Sequence, residues 1–202
     1  MMEDVYINTI KDQIASGMYA PLFEGRRDLV FLDIGANIGL VSLYAVPYCK
    51  RIVSVEPAPG TFKALQKNTS GYPMIECWDF ALSTKNAMVE FYENDINPTA
   101  SSTVNTYGTR IEVWGITLST FLEARGLDHV DVCKVDAEGA EGESLDFHQI
   151  SLAKDKIDEW WIECHNCPKT SWEHKLGTLV GNFARVGYKE MAINGMSLWV
   201  TR

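Results

Sequence analysis

The segment of residues 33–39, Asp-Ile-Gly-Ala-Asn-Ile-Gly, has the residue types and spacing of a ligand-binding turn. Its glycines let the backbone turn sharply and let a ligand approach closely. The aspartate inside the turn would repel a pyrophosphate, and Asn37 breaks the G-x-G-x-x-G pattern of dinucleotide sites. The segment therefore disfavours a nicotinamide dinucleotide. It favours a ligand with a cationic amino-acid end, as in S-adenosylmethionine.

Acidic and aromatic residues at the ends of the next two predicted strands extend this site. Glu56 can accept hydrogen bonds from both hydroxyls of a ribose. Asp79 lies where an acid would meet an adenine amino group, although an ordinary strand-end acid explains it equally well. Phe80 could pack on the adenine ring, but packing in the core explains it better. The residues predicted to bind the cofactor are Asp33, Gly35, Ala36, Asn37, Gly39, Glu56, Pro57, Asp79, Phe80, Ala81 and Asp136.

A second polar group follows two later strands. Asp136 and Glu138 come directly after one strand, and Glu163 and His165 end the next one. A hydroxyl that accepts a methyl group must lose its proton, which calls for a base or a metal. Histidine titrates near neutrality, so His165 is the candidate base. The predicted catalytic residues are His165, Glu163, Asp136 and Glu138.

Other roles explain parts of this polar group. Glu138 and Glu141 lie in the first turn of a predicted helix, where acids stabilise the helix dipole, and this role explains Glu141 better than a catalytic one. Lys134 could orient a carboxylate or pair with Glu163. A metal held by Asp136, Glu163 and His165 is the alternative to a base, but the sequence alone does not show that the three converge, and no metal site is predicted.

The elements that position these residues alternate between strand and helix. Apolar runs predict strands over 29–34, 51–56, 74–80, 130–135, 157–164, 188–193 and 196–201, the last two joined by a tight hairpin at Asn194-Gly195. Helices are predicted over 38–46, 59–68, 118–124, 141–148 and 170–184. This pattern predicts an α/β fold: a doubly wound, mostly parallel seven-stranded sheet with helices on both faces and the last strand antiparallel. Such sheets bind ligands beyond the carboxyl ends of their strands.

Residues 84–115 interrupt the alternation. Strand-like runs at 89–92 and 111–114 flank a polar stretch, which predicts an inserted β-hairpin with a long loop. Long loops often cover sites, so this loop is predicted to be a substrate lid containing Asn97, Ser101, Ser102 and Tyr107. Residues 1–20 predict an amphipathic helix that ends at Pro21. All 202 residues are predicted to form one Rossmann-like domain.

Composition and charge narrow the class of partner. Hydrophobic residues make up 46% of the chain and charged residues 22%, as in an ordinary globular domain. The formal net charge of -9 disfavours binding to nucleic acid. The acidic start and the lack of a long apolar run predict a cytoplasmic protein without a membrane segment. The five irregularly spaced cysteines do not predict a disulfide scaffold, and a lone C-x-x-C does not predict a zinc site.

A series of short motifs accompanies these strands: D-I-G-A-N-I-G at 33–39, V-E-P at 55–57, A-L-S at 81–83, V-E-F-Y at 89–92 and T-L-S-T-F-L at 117–122. The most specific motif is V-D-V-C-K-V-D-A-E-G-A-E at 130–141. Together these motifs resemble the FkbM-type methyltransferases over about residues 29 to 165. Ala137 departs mildly from the family pattern, which usually has a branched aliphatic there.

The resemblance implies a class I Rossmann-like methyltransferase that uses S-adenosylmethionine. Members of this family are similar to O-methyltransferases acting on hydroxyls of sugars, polyketides and other natural products. The expected acceptor is therefore a small molecule with a hydroxyl group, such as a carbohydrate. The alternative is a non-catalytic module that keeps the cofactor pocket without the chemistry. The sequence does not indicate the oligomeric state.

Overall fold

The computed structural model describes residues 11–94, 101–104, 108–168 and 170–202. Its strands are β1 (Leu29–Ile34), β2 (Cys49–Val55), β3 (Ile75–Trp78), β4 (Ala81–Leu82), β5 (Ala87–Glu93), β6 (Thr109–Ile116), β7 (Val130–Val135), β8 (Ile157–Glu163), β9 (Glu190–Asn194) and β10 (Ser197–Thr201). Its helices include α1 (Ala20–Phe23), α2 (Leu40–Ala45), α3 (Pro59–Thr69), α4 (Leu118–Ala124), α5 (Glu141–Ser144), α6 (Phe147–Ala153) and α7 (Trp172–Val186).

Seven strands form the large sheet in the order β3-β2-β1-β7-β8-β10-β9. The first five are parallel to one another, and β10 is antiparallel to both of its neighbours. The predicted seven-stranded, mostly parallel sheet with an antiparallel last strand is confirmed. The chain order reverses between β1 and β7, so the ligand-binding crevice of such a sheet is expected at their carboxyl ends.

Both faces of the large sheet are covered. In β1, Val30, Leu32 and Ile34 belong to one hydrophobic cluster, and Leu29 and Phe31 belong to another. Successive side chains of a strand point to opposite faces, so the two clusters lie on opposite sides of the sheet. Side chains of α4, α6 and α7 complete the first cluster, and those of α1 and α2 complete the second. The prediction of helices on both faces is confirmed.

Three helical predictions differ from the structure. The predicted helix 141–148 is broken into α5 and α6, because Asp146 caps a new helix by accepting a hydrogen bond from the backbone N–H of Gln149 at 2.8 Å. Pro21 does not end a helix but lies in the first turn of α1, where a missing N–H costs nothing. The predicted N-terminal helix ends early, because residues 11–15 are helical and residues 16–19 form turns; its residues 1–10 lie outside the described residues. Among the described helices none is long and apolar enough to cross a bilayer.

The predicted hairpin at residues 84–115 is present as β5 and β6, which pair antiparallel. Residues 81–82 add a third strand, β4, parallel to β6, which the sequence pattern did not predict because the strand is only two residues long. Ser102 bridges to Tyr92 and donates a hydrogen bond from its Oγ to the carbonyl of Glu138 at 2.7 Å. Asn97 and Tyr107 of the predicted lid lie outside the described residues, and the lid role remains a prediction.

The buried pair of Trp160 and Tyr188 gives a test of the packing under β8. The Tyr188 hydroxyl accepts a hydrogen bond from Trp160 Nε1 at 3.1 Å and donates one to the Ile157 carbonyl at 3.0 Å. Tyr188→Phe leaves the buried indole N–H without this partner, so we expect a loss of about 1–3 kcal/mol in the free energy of unfolding, measured by urea denaturation. Tyr72→Phe, at a residue that is 40% exposed, is the control and should change stability by less than about 0.5 kcal/mol. Equal effects of the two variants would contradict this account.

Candidate active site

The turn after β1 is held against two neighbouring strands. The backbone N–H groups of Gly35 and Ala36 both donate to the carbonyl of Val55 at the end of β2. Gly35 has φ +76°, and a Cβ there would lie 1.8 Å from the carbonyl oxygen of Asp136. Glycine is required at position 35 because the exits of β1 and β7 approach too closely for any side chain.

The second half of the turn leads into α2. Asn37 adopts φ +52°, and its Oδ1 accepts a hydrogen bond from the Ile38 N–H at 2.7 Å. Gly39 has φ +90°, and a Cβ there would lie 2.7 Å from Leu65 Cδ1 of α3. Asn37 lines a cleft beside the turn, whereas Gly39 does not. Gly39 permits helix packing behind the turn, and its predicted contact with the cofactor remains a prediction.

Asp33 lies beneath the turn and is fully buried. One carboxylate oxygen accepts a hydrogen bond from the Ser42 hydroxyl at 2.6 Å, and the other lies 3.2 Å from Lys134 Nζ. The prediction that Asp33 meets the cationic end of a ligand is therefore corrected, because Asp33 does not line the cleft and its partners are internal. Its role is to position Lys134.

Lys134 of β7 is a buried cation shared by three groups. Its Nζ lies 3.3 Å from Asp136 Oδ2 and 3.2 Å from Asp33 Oδ1, and it donates to the Gly35 carbonyl at 3.1 Å. Burial opposes the charge, but the two carboxylates outweigh burial and raise the pKa of Lys134 above its ordinary value. The lysine therefore stays protonated and fixes both the turn and Asp136.

Glu56, directly after β2, borders the cleft with Pro57. Its two carboxylate oxygens accept backbone hydrogen bonds from Asn37 at 3.0 Å and from Ala58 at 2.9 Å. Burial raises the pKa of Glu56 to about 7, although these hydrogen bonds oppose the rise. The carboxyl group is thus held rigidly at the strand end, as the predicted ribose contact requires.

The chain after β3 contributes an apolar wall. Asp79 is exposed and does not line the cleft, because β3 ends at Trp78 and not at the predicted residue 80. Its predicted contact with adenine is therefore not supported. Phe80 and Ala81 do line the cleft, and the Phe80 ring also packs on Phe121 with centroids 4.5 Å apart. Phe80 combines the two roles that the sequence left open.

The cleft formed by these segments has a volume of about 210 Å³ and lies at the carboxyl ends of β1, β2 and β7. One side is apolar and the other carries carboxylates, so the cleft suits a ligand with an aromatic end and a polar end. Among the predicted site residues the cleft is lined by Gly35, Ala36, Asn37, Glu56, Pro57, Phe80, Ala81, Asp136 and Glu138. Lys134 and Ser101 also line it.

The predicted catalytic residues converge on one histidine. Nε2 of His165 lies 3.8 Å from Asp136 Oδ1, 3.9 Å from Glu138 Oε2 and 3.9 Å from Glu163 Oε1. On the other side of the ring, Nδ1 lies 3.1 Å from Glu141 Oε1. The predicted catalytic residues therefore lie close together in the structure, and Asp136 and Glu138 are on the side that faces the cleft.

The charges of this cluster change the expected role of His165. Burial opposes protonation of the ring, but the hydrogen bond to Glu141 and the charges of Glu138 and Asp136 raise its pKa to about 10. Burial also raises the pKa of Glu138 to about 8 and that of Glu163 above its ordinary value. At neutral pH the imidazole already carries a second proton. The prediction that His165 is a free base near neutrality is corrected by the carboxylates around it.

Lys175 and Glu141 support the cluster from behind. The Nζ of Lys175, which is 3% exposed, donates to the carbonyls of Gly139 and His165 and lies 3.7 Å from Glu141 Oε2. Glu141 is fully buried and also accepts the Gly139 N–H at 2.9 Å. Sequence reasoning missed Lys175 and gave Glu141 only a helix-dipole role. The sequence signal that could have revealed Lys175 is its helical spacing from Leu179, which places it on the apolar face of α7.

A comparison with families of known proteins identifies the domain. The model of the methyltransferase FkbM domain matches residues 33–189, which include the turn, most residues that line the cleft and the histidine cluster. The chain belongs to this family. The expected resemblance is confirmed, and the chain carries a methyltransferase domain. A search of curated proteins gave no significant match.

Solved structures share the fold at low sequence identity. A methyltransferase FkbM from Methylobacillus flagellatus KT is 15% identical, with a TM-score of 0.55 over 86% of this chain and 43% of its own. Precorrin-6y C5,15-methyltransferase from Geobacter metallireducens GS-15 is 13% identical, with a TM-score of 0.53 over 93% of this chain and 86% of its own. The fibrillarin pre-rRNA processing protein from Methanococcus jannaschii is 12% identical, with a TM-score of 0.53 over 87% and 66%. These likenesses show the fold alone, and this chain spans less than half the length of the Methylobacillus protein.

The close approach at Gly35 gives a second test. In Gly35→Ala the new Cβ must displace the Asp136 carbonyl in addition to adopting a positive φ. Gly25→Ala is the matched control, because Gly25 has φ +79° with no atom within 4 Å of the added Cβ. We expect Gly35→Ala to lower the free energy of unfolding clearly more than the roughly 1–2 kcal/mol of the control. Similar losses in urea denaturation would mean that the contact with Asp136 is unimportant.

Proposed function

We propose that this methyltransferase domain binds S-adenosylmethionine in the cleft and methylates a hydroxyl group of a small molecule, such as a carbohydrate. The observation that carries the proposal is the cleft itself. Three features meet in it: the glycine turn that follows β1, the rigid carboxylate that follows β2 and the apolar wall that follows β3. Membership of the FkbM family supports the same cofactor.

The lining residues fit the three parts of the cofactor. Phe80 and Ala81 offer an apolar surface for an adenine ring. Glu56 keeps lone pairs beyond its two backbone hydrogen bonds and can accept from ribose hydroxyls. Asp136, held by Lys134, offers a carboxylate to a cationic amino group. S-adenosylmethionine supplies, when bound, a sulfonium methyl group that a nucleophile can displace.

The chain's own contribution to the reaction is to orient the acceptor and to take its proton. Asp136 and Glu138 are the carboxyl groups of the histidine cluster that line the cleft, so a hydroxyl in the cleft can pass its proton to whichever of the two is ionised. Ser102 bonds to the Glu138 backbone and brings residues 101–104 over this edge of the cleft. That segment can help to exclude water from the reacting groups.

Two measurements test the proposal. Calorimetry with S-adenosylhomocysteine measures binding in the cleft, and a screen of hydroxylated sugars and natural products with labelled S-adenosylmethionine measures methyl transfer. Binding together with turnover on a hydroxyl acceptor is the expected result. Binding without turnover on any acceptor would favour the non-catalytic module, and the absence of binding would contradict the cofactor assignment.

The pKa of Glu56 predicts a pH dependence of cofactor binding. Hydrogen bonds donated by ribose hydroxyls favour the ionised form of the Glu56 side chain. In the free protein, burial raises the pKa of Glu56 to about 7, and Lys134 and Asp136 are its charged neighbours. Affinity for S-adenosylhomocysteine should therefore rise with pH, by up to about tenfold per unit below pH 7, and level off above it.

Glu56→Gln is the control for this prediction because it removes the titrating group at nearly constant size. The variant should bind more weakly than the unmodified protein at pH 8, and its affinity should change less between pH 6 and 8. Calorimetric titrations of both proteins at several pH values measure the difference. Parallel pH profiles of the two proteins would assign the dependence to another group.

A further inference from the structure

The gap between His165 and the carboxylates around it has the dimensions of a cation site. Single ligand atoms of Asp136, Glu138 and His165 all lie within 4.8 Å of one another. Nε2 of His165 is 3.8 Å from Asp136 Oδ1 and 3.9 Å from Glu138 Oε2, distances too long for hydrogen bonds. Ligand atoms about 2.1 Å from an octahedral cation are themselves roughly 3 to 4 Å apart. The two distances from Nε2 fall in this range, as expected for ligands around a common centre.

An unpartnered oxygen points into this gap. Asp136 Oδ1 is cut off from solvent and has no hydrogen-bond partner among the described residues. The other oxygen of the same carboxylate is held by Lys134, which turns Oδ1 toward His165. A buried acceptor without a donor is costly, and a cation between Oδ1 and the imidazole would satisfy it.

The outer side of the histidine is arranged as in metal sites. Nδ1 of His165 faces Glu141 Oε1 at 3.1 Å, and Glu141 is itself held by the Gly139 N–H and lies beside Lys175. A carboxylate that accepts a hydrogen bond from Nδ1–H keeps the ring proton on Nδ1, leaves the Nε2 lone pair free for a metal and fixes the orientation of the ring. Metal binding displaces the proton from Nε2, so a cation and that proton are alternative occupants of the gap.

We propose that Asp136, Glu138 and His165 bind one divalent cation of the Mn²⁺ class at the edge of the cleft. Two carboxylates and one imidazole combine the oxygen ligands that Mg²⁺ and Mn²⁺ prefer with a nitrogen ligand that first-row transition metals accept. The sequence favoured a metal-free site because it could not show that these ligands converge. Glu138 takes the place that the sequence alternative gave to Glu163.

The cation has a defined place in the chemistry. Asp136 and Glu138 line the cleft, so an acceptor hydroxyl bound there can reach the cation with its oxygen. With the ion bound, the cation would lower the pKa of that hydroxyl. The proton would then leave to solvent instead of passing to Asp136 or Glu138, which hold the ion, and the oxygen would keep the electron pair. This use of the ion rests on the proposed function, whereas the binding of the ion does not.

The test is a titration of the purified, chelator-treated protein with Mn²⁺, followed by loss of the electron paramagnetic resonance signal of the free ion. One Mn²⁺ per chain should bind to the unmodified protein. His165→Gln and Glu138→Gln should each weaken binding at least about tenfold. The second variant keeps the test valid if the first does not fold, which thermal unfolding checks.

A second group of possible ligands provides the matched control. His129 lies 3.2 Å from Asp131 and 3.6 Å from Asp158 near the amino ends of β7 and β8, and its side chain is 53% exposed. His129→Gln should leave Mn²⁺ binding unchanged. Loss of binding in His129→Gln alone, equal binding by all variants, or no binding at millimolar Mn²⁺ would each overturn the inference.

Calorimetry with S-adenosylhomocysteine on the same samples separates this inference from the proposed function. Cofactor binding without Mn²⁺ binding would refute the metal site and leave the proposed function standing. Mn²⁺ binding that depends on His165 and Glu138, without cofactor binding, would support the metal site and refute the cofactor assignment. Where both bind, chelator removal of the cation should lower methyl transfer.

Discussion

The buried ammonium group of Lys134 is the interaction on which the site depends. A charge can stay in the interior only when it is paired and hydrogen-bonded, and Lys134 finds Asp33, Asp136 and the Gly35 carbonyl within 3.3 Å. These partners belong to β1, to the turn after it and to the exit of β7. One cation thus ties together the switch point of the sheet and sets the direction of Asp136. Without Lys134, two carboxylates would lose their shared counter-charge.

A second buried lysine stabilises a carboxylate and backbone carbonyls on the other side of the histidine cluster. Lys175 bonds to the carbonyls of Gly139 and His165 and faces Glu141, and Glu141 in turn holds the imidazole. The cleft edge is therefore a concentration of negative charge between two fixed cations. The charges of such a site can be balanced by a proton on His165 or by a bound cation, and the surrounding chain holds the ligand atoms in place for either.

Local patterns in the sequence were enough to predict the strands and turns that depend on neighbouring residues. The apolar runs predicted the parallel strands, and Asn194-Gly195 predicted the final hairpin. The turn is shifted by one residue from the prediction, because Asn194 pairs with Ser197 and the two-residue loop is Gly195-Met196. The break between α5 and α6 was missed although Asp146 is a good helix cap. The apolar pattern ran through it, and the hydrogen bond from Gln149 became evident only in the folded chain.

The sequence by itself determined the fold class, the family and the residues that gather at the ends of β1, β2 and β7, because strand periodicity and short motifs are local properties. Tertiary structure decided what each of those residues does. It buried Asp33 as a partner of Lys134, left Asp79 in solvent, set Gly39 behind the turn and surrounded His165 with carboxylates that raise its pKa. Burial and charge depend on neighbours that are distant in the chain, and no local pattern encodes them.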